Sequence, residues 1–114
     1  MAKYNYEQAM NILTNGDKQL ENKISDLIDR YDAIDETTDP NAFDKMLNLA
    51  TEFFALNVDL KTVIMDVGPG TNWASYDYVK YGIEISDPEQ KKTSDLNRFL
   101  VLIGFEMYRR DIRI

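Results

Sequence analysis

The 114-residue chain is 44% hydrophobic and 29% charged, a composition that suits one soluble globular domain. It carries 20 acids against 13 bases, no histidine and no cysteine, for a formal charge of −7. These absences exclude disulfides, thiolate zinc sites and thiol catalysis, and they remove the commonest general base.

The opening residues, Met1-Ala2-Lys3-Tyr4, contain no apolar run of signal-peptide length. Tyr6, Ala9, Met10 and Leu13 recur at helical spacing and predict a first helix over residues 4–13. Asn15-Gly16 stops it, since glycine accepts the left-handed conformation that ends helices. Asp17 is placed to cap a second helix, whose apolar stripe is Leu20, Ile24, Leu27, Ile28 and Tyr31. The run Asp35-Glu36-Thr37-Thr38-Asp39 reads as a polar loop. Asp39-Pro40 then marks a helix start, because a carboxylate caps the first turn and proline loses nothing at its first position. Phe43, Met46, Leu47, Ala50, Phe53 and Phe54 form one broad face of that third helix.

Gly68-Pro69-Gly70 is a turn. Beyond it Val79, Tyr81, Ile83 and Ile85 alternate with Tyr78, Lys80, Gly82 and Glu84, as in a half-buried strand. Thr62-Val63-Ile64-Met65 either pairs with that strand or extends a helix. Asp87-Pro88 repeats the helix-start signal, with Gln90 as a capping-box partner. The last helix therefore begins at Pro88, or at Ser94 if Thr93-Ser94 breaks it. Its stretch from Phe99 to Ile103 is apolar on all sides, which places it centrally, and Arg109 and Arg110 complement its dipole. The apolar run ends at Phe105, far short of the ~20 residues that span a membrane. The expected fold is mostly α, one domain over residues 1–114, with four helices and room for a short β-hairpin around residues 62–85. The expected location is the cytoplasm.

Charge is distributed unevenly. Residues 1–60 hold 12 acids and 5 bases, and residues 61–114 hold 8 of each, so the whole negative balance belongs to the first half. Within it Asp26, Asp29, Asp32, Asp35, Glu36 and Asp39 are opposed locally by Arg30 alone. Acids three apart on a helix are spatial neighbours about 5–6 Å apart, which approaches the spacing of phosphates along a nucleic-acid strand. Glu21 and Asp44 flank the row and extend it. A cation-lined groove built for a polyanion would attract such a row, whereas the plainer reading is a solvated helix face.

Other constellations are weaker. Residues 29–39 lack the glycine and the alternating oxygens of a calcium loop, so no metal is expected. Gly68-Pro69-Gly70-Thr71-Asn72 lacks the lysine of a phosphate loop and reads as a structural turn, so no cofactor is expected either. Trp73, Tyr76, Tyr78 and Tyr81 crowd four aromatics into nine residues, which suits either a core or a second partner surface. No carboxylate pair is accompanied by a positioned nucleophile, and the expectation is a protein that is not an enzyme.

Three stretches resemble the small acidic DNA mimics of bacteriophages, the overcome-classical-restriction family. They are Tyr4-Asn5-Tyr6 leading into Met10-Asn11-Ile12-Leu13, the link Arg30-Tyr31-Asp32-Ala33-Ile34-Asp35, and Thr93-Ser94-Asp95-Leu96 through Tyr108. The resemblance implies a bent, mostly helical dimer that occupies the DNA-binding groove of a restriction enzyme. In type, small acidic cysteine-free domains are also similar to phage inhibitors of CRISPR effectors. Because the second half of this chain is electrically neutral, what carries over is a one-sided acidic docking face. The sequence thus predicts a phage or mobile-element inhibitor that binds a protein with a basic nucleic-acid groove, without binding nucleic acid or membrane itself. A structural adaptor subunit and a small-ligand binder using residues 68–81 are the alternatives.

Overall fold

The computed structural model describes residues 5–63 and 88–113. Over these residues the chain is helical, with α1 at Tyr6–Thr14, α2 at Lys18–Asp32, α3 at Ala42–Ala55 and α4 at Pro88–Arg109. No strand occurs among the described residues. The hairpin expected around residues 62–85 falls almost wholly outside them. Its first two positions, Thr62 and Val63, lie in a helical turn instead. The cause is Asp59, whose carboxylate accepts from the Lys61 N–H at 3.0 Å and from the Thr62 hydroxyl at 3.1 Å. Its carbonyl accepts from the Val63 N–H at 3.1 Å, a helical bond that the hairpin register does not contain.

Local chemistry explains most of the helix ends. Asn5 and Gln8 form a reciprocal capping box, with the Gln8 N–H donating to Asn5 Oδ1 at 2.8 Å and the Asn5 N–H donating to Gln8 Oε1 at 3.1 Å. Asn15 and Gly16 then close α1 with φ values of 52° and 80°, the left-handed pair that lets the chain reverse. Asp17 caps α2 by accepting from the N–H groups of Gln19 and Leu20. The Asp39-Pro40 signal, by contrast, precedes the start of α3 by two residues. The Asp39 carboxylate accepts from the Asn41 N–H at 2.8 Å and pairs with Lys45, so it closes a turn around Pro40 and the helix begins at Ala42.

Helices α2 and α4 each pack against the other three. Their shared core contains Met10, Ile24, Phe53, Val63, Phe99, Leu100 and Ile103, all fully buried. Phe99 lies at its centre, edge-on to Phe53 at 5.6 Å and to Tyr31 at 5.9 Å between ring centroids. The buried arc of α3 runs through Ala42, Leu49, Ala50 and Phe53, which leaves Phe43 at its edge and 60% exposed rather than in the core.

Helix α4 runs unbroken through Thr93 and Ser94, both of which are buried. The Tyr6 N–H donates to Thr93 Oγ1 at 3.0 Å, which joins the start of α1 to α4. The central placement of α4 holds on the side of Leu96, Phe99, Leu100, Ile103 and Met107. On another side Phe105 and Tyr108 are 69% and 88% exposed. At its C-terminal end the buried Glu106 carboxylate accepts from Arg109 Nε at 3.0 Å and from Arg110 Nε at 3.0 Å. Arg110 continues to the Leu47 carbonyl at 3.2 Å and the Thr51 hydroxyl at 3.1 Å, and its guanidinium lies 5.2 Å from the Phe54 ring centroid. Arg110 therefore clamps the end of α4 to α3, while Arg109 holds Glu106 on its own helix, and both face the helix dipole.

Candidate functional site

The orientation of the acidic row follows from the apolar stripe of α2. Ile24, Leu27 and Ile28 are buried, so at about 100° per residue Asp29 falls on the side directed away from the core. Asp26 and Asp32 sit three residues to either side of Asp29, about 60° around the helix in opposite senses. The row thus winds across the outer face of α2 from the α3 flank to the α4 flank.

Each flank is closed by cations. On the α3 side Arg30 donates to Asp26 at 3.3 Å and to Glu52 at 3.0 Å. The guanidinium holds the Glu52 carboxyl below the usual carboxylate range, and the hydrogen bonds to Glu52 and then Asp26 raise Arg30. On the α4 side Lys91 bridges Asp32 at 3.2 Å and Asp95 at 2.8 Å, and Arg98 approaches Asp32 at 3.8 Å. Arg98 also lies 5.6 Å from the Tyr31 ring centroid, and burial pushes the Tyr31 hydroxyl up. Burial likewise raises Asp95, against the opposing pull of Lys91.

The loop acids divide in the same way. Asp35 accepts from the Thr37 N–H at 3.0 Å and from the Thr37 hydroxyl at 2.6 Å, and these bonds hold its carboxyl below the usual range while it remains exposed. Asp39 is held low chiefly by Lys45 and is the least exposed of the six. Asp29 and Glu36 are exposed and form no ion pair among the described residues, nor does Asp35. Of the two flanking acids, Glu21 pairs with Lys18 at 3.2 Å and Asp44 is exposed.

The structure therefore keeps all six acids of the row at the surface but divides them. Asp26, Asp32 and Asp39 are engaged by cations of the same chain, and Asp29, Asp35 and Glu36 form an outer ridge. Arg30 is the local counter-charge visible in the sequence, and Lys45, Lys91 and Arg98 join it only in the folded chain. Glu52, which shares Arg30, has no signal in the sequence beyond its solvent-facing position on α3. The aromatic surface at Trp73, Tyr76, Tyr78 and Tyr81, and the ligand region of residues 68–81, lie outside the described residues.

Two grooves open on the described surface. One, of about 680 Å³, is lined by Tyr6, Gln8, Asn11, Lys18, Glu21 and Lys92, with charges of both signs. The other, of about 480 Å³, runs between α2 and α3 beside Asp26. No group of three carboxylates is arranged to hold a metal ion among the described residues, and no helix among them is long and apolar enough to cross a membrane. Compared with known proteins, the chain matches no family model, no curated relative and no solved structure.

Proposed function

We propose that this chain is a non-enzymatic binding protein whose outer acidic ridge docks into a cation-lined groove of a nucleic-acid-binding enzyme and excludes the polyanion by competition. The observation that carries the reading is the ridge itself. Asp29, Asp35 and Glu36 are exposed without an ion-pair partner among the described residues, on a chain of net charge −7, while the neighbouring acids are paired. Charge left uncompensated on an outer face steers a basic partner and makes association salt-sensitive. The resemblance to phage DNA mimics supports a host defence enzyme, a restriction or CRISPR effector, as the target and a phage or mobile element as the source. The absence of histidine and cysteine supports a role without catalysis.

The test is capture from bacterial lysate with two baits, the native chain and an Asp29→Asn/Asp35→Asn/Glu36→Gln variant matched for folding by circular dichroism. The native bait should hold a nucleic-acid-binding protein that the variant does not, and added duplex DNA or raised salt should release it. Recovery of the same proteins by both baits, or only of further copies of the chain, overturns the proposal. An adaptor role in a homodimer or larger assembly is supported by a separate observation, the exposed Phe105 and Tyr108 on α4. A stable oligomer with no affinity for basic proteins would favour it.

A further inference from the structure

Resting on the acidic-docking reading, we infer that the groove between α2 and α3 receives one large apolar side chain of the partner, and that the docking segment is a basic peptide built around that anchor. The floor of the groove is apolar, formed by buried Leu27 with Ala55 and Leu56 at the C-terminal end of α3. Its rim is charged, with Arg30 spanning from Asp26 on α2 to Glu52 on α3. An apolar pocket enclosed by polar groups is the anatomy of an interface hot spot, where one inserted side chain carries much of the affinity. Its volume of about 480 Å³ lies within the range of pockets that bury compact apolar groups.

Charge selects the occupant. Asp26 and Glu52 share the single guanidinium of Arg30, and Asp29 stands three residues beyond Asp26 on the outer face. Lys23 is the second cation at the rim and lies at the N-terminal end of the groove. The rim therefore balances two carboxylates against two cations, and the excess negative charge lies beyond it at Asp29, Asp35 and Glu36. A peptide seated with its apolar residue over Leu27 places its basic residues toward Asp29 and the loop acids Asp35 and Glu36. An acidic segment in the same place would meet the ridge with like charge.

The test titrates the isotope-labelled full chain with two synthetic peptides and follows its backbone amides by NMR. Both peptides are lysine- and arginine-rich, one with a central leucine and the other with alanine at that position. Both should shift the amides of Asp29, Asp35 and Glu36. Only the leucine peptide should shift Leu27, Ala55 and Leu56, and burying its side chain should tighten binding about tenfold. Ala55→Gln, an uncharged change at an exposed helix end that obstructs the groove, should abolish the tenfold preference and keep the ridge shifts. Equal affinity for the two peptides, or a preference that survives Ala55→Gln, overturns the anchor while the docking reading stands. Absence of ridge shifts with both peptides overturns the docking reading and the anchor with it.

Discussion

The carboxylate of Glu106 and those along the outer side of α2 occupy opposite surroundings. Glu106 is 3% exposed and accepts hydrogen bonds from Arg109 and Arg110, and Arg110 extends the network to Leu47 and Thr51 of α3. The paired carboxylate holds Arg110, which joins two helices, whereas Asp29 and Glu36 face water and form no ion pair among the described residues. Between these extremes stands Asp95 on the same helix as Glu106. Bonds to Arg109 and then Arg110 hold Glu106 below the ordinary carboxylate range against its burial, but at Asp95 burial outweighs Lys91 and raises the carboxyl.

The comparison breaks most readily at Glu106. Glu106→Gln keeps the size of the side chain but removes the charge from hydrogen bonds worth about 1.5–3 kcal/mol each, and we expect a loss of stability in that range by urea unfolding. A loss below about 0.5 kcal/mol would mean that solvent already supplies what Glu106 does.

Acid titration sharpens the same contrast through opposite signs. The contribution of Glu106 is fully present above the unfolded glutamate value of about 4.3 and is lost as pH falls through its lower folded value. Asp35, Asp39 and Glu52 act in the same direction. Asp95 binds its proton more readily folded than unfolded, so the fold gains relative stability as pH falls through that raised value toward about 3.9. Glu106→Gln should therefore flatten the acid-induced fall in Tm, and Asp95→Asn should steepen it.

At neutral pH the effect of Asp95→Asn is smaller. The substitution loses the bond to Lys91 but relieves a charge that burial disfavours, and stability should change by no more than about 0.5 kcal/mol. Smallest of all is the effect of neutralising the ridge. The Asp29→Asn/Asp35→Asn/Glu36→Gln variant weakens only the exposed bonds from Thr37 to Asp35 and should lower Tm slightly at most, and a marked fall would show that these acids serve the fold after all.

Much of this arrangement was readable before folding. The caps at Asp17 and Asn15-Gly16 are local chemistry, and the stripe from Leu20 to Tyr31 already turns the acids of α2 outward. What spacing alone does not reveal is which acids are paired with a cation. Arg30 and Glu52 are 22 residues apart, and Lys91 and Asp32 are 59 apart, so compensation depends on how α2 packs against its neighbours. The same limit explains Phe43, which matches the apolar pattern of α3 yet sits at the edge of an arc centred nearer Leu49. It also explains Asp39, whose pairing with Lys45 across a turn delays the helix that its proline advertises.

The most direct test separates free from paired acids by capture from bacterial lysate with three baits. These are the native chain, the ridge variant, and an Asp26→Asn/Asp32→Asn variant that alters only acids already held by cations. The account predicts that the native and flank-altered baits hold the same DNA-releasable protein and that the ridge variant holds none of it. Retention by the ridge variant with loss from the flank-altered bait would contradict it.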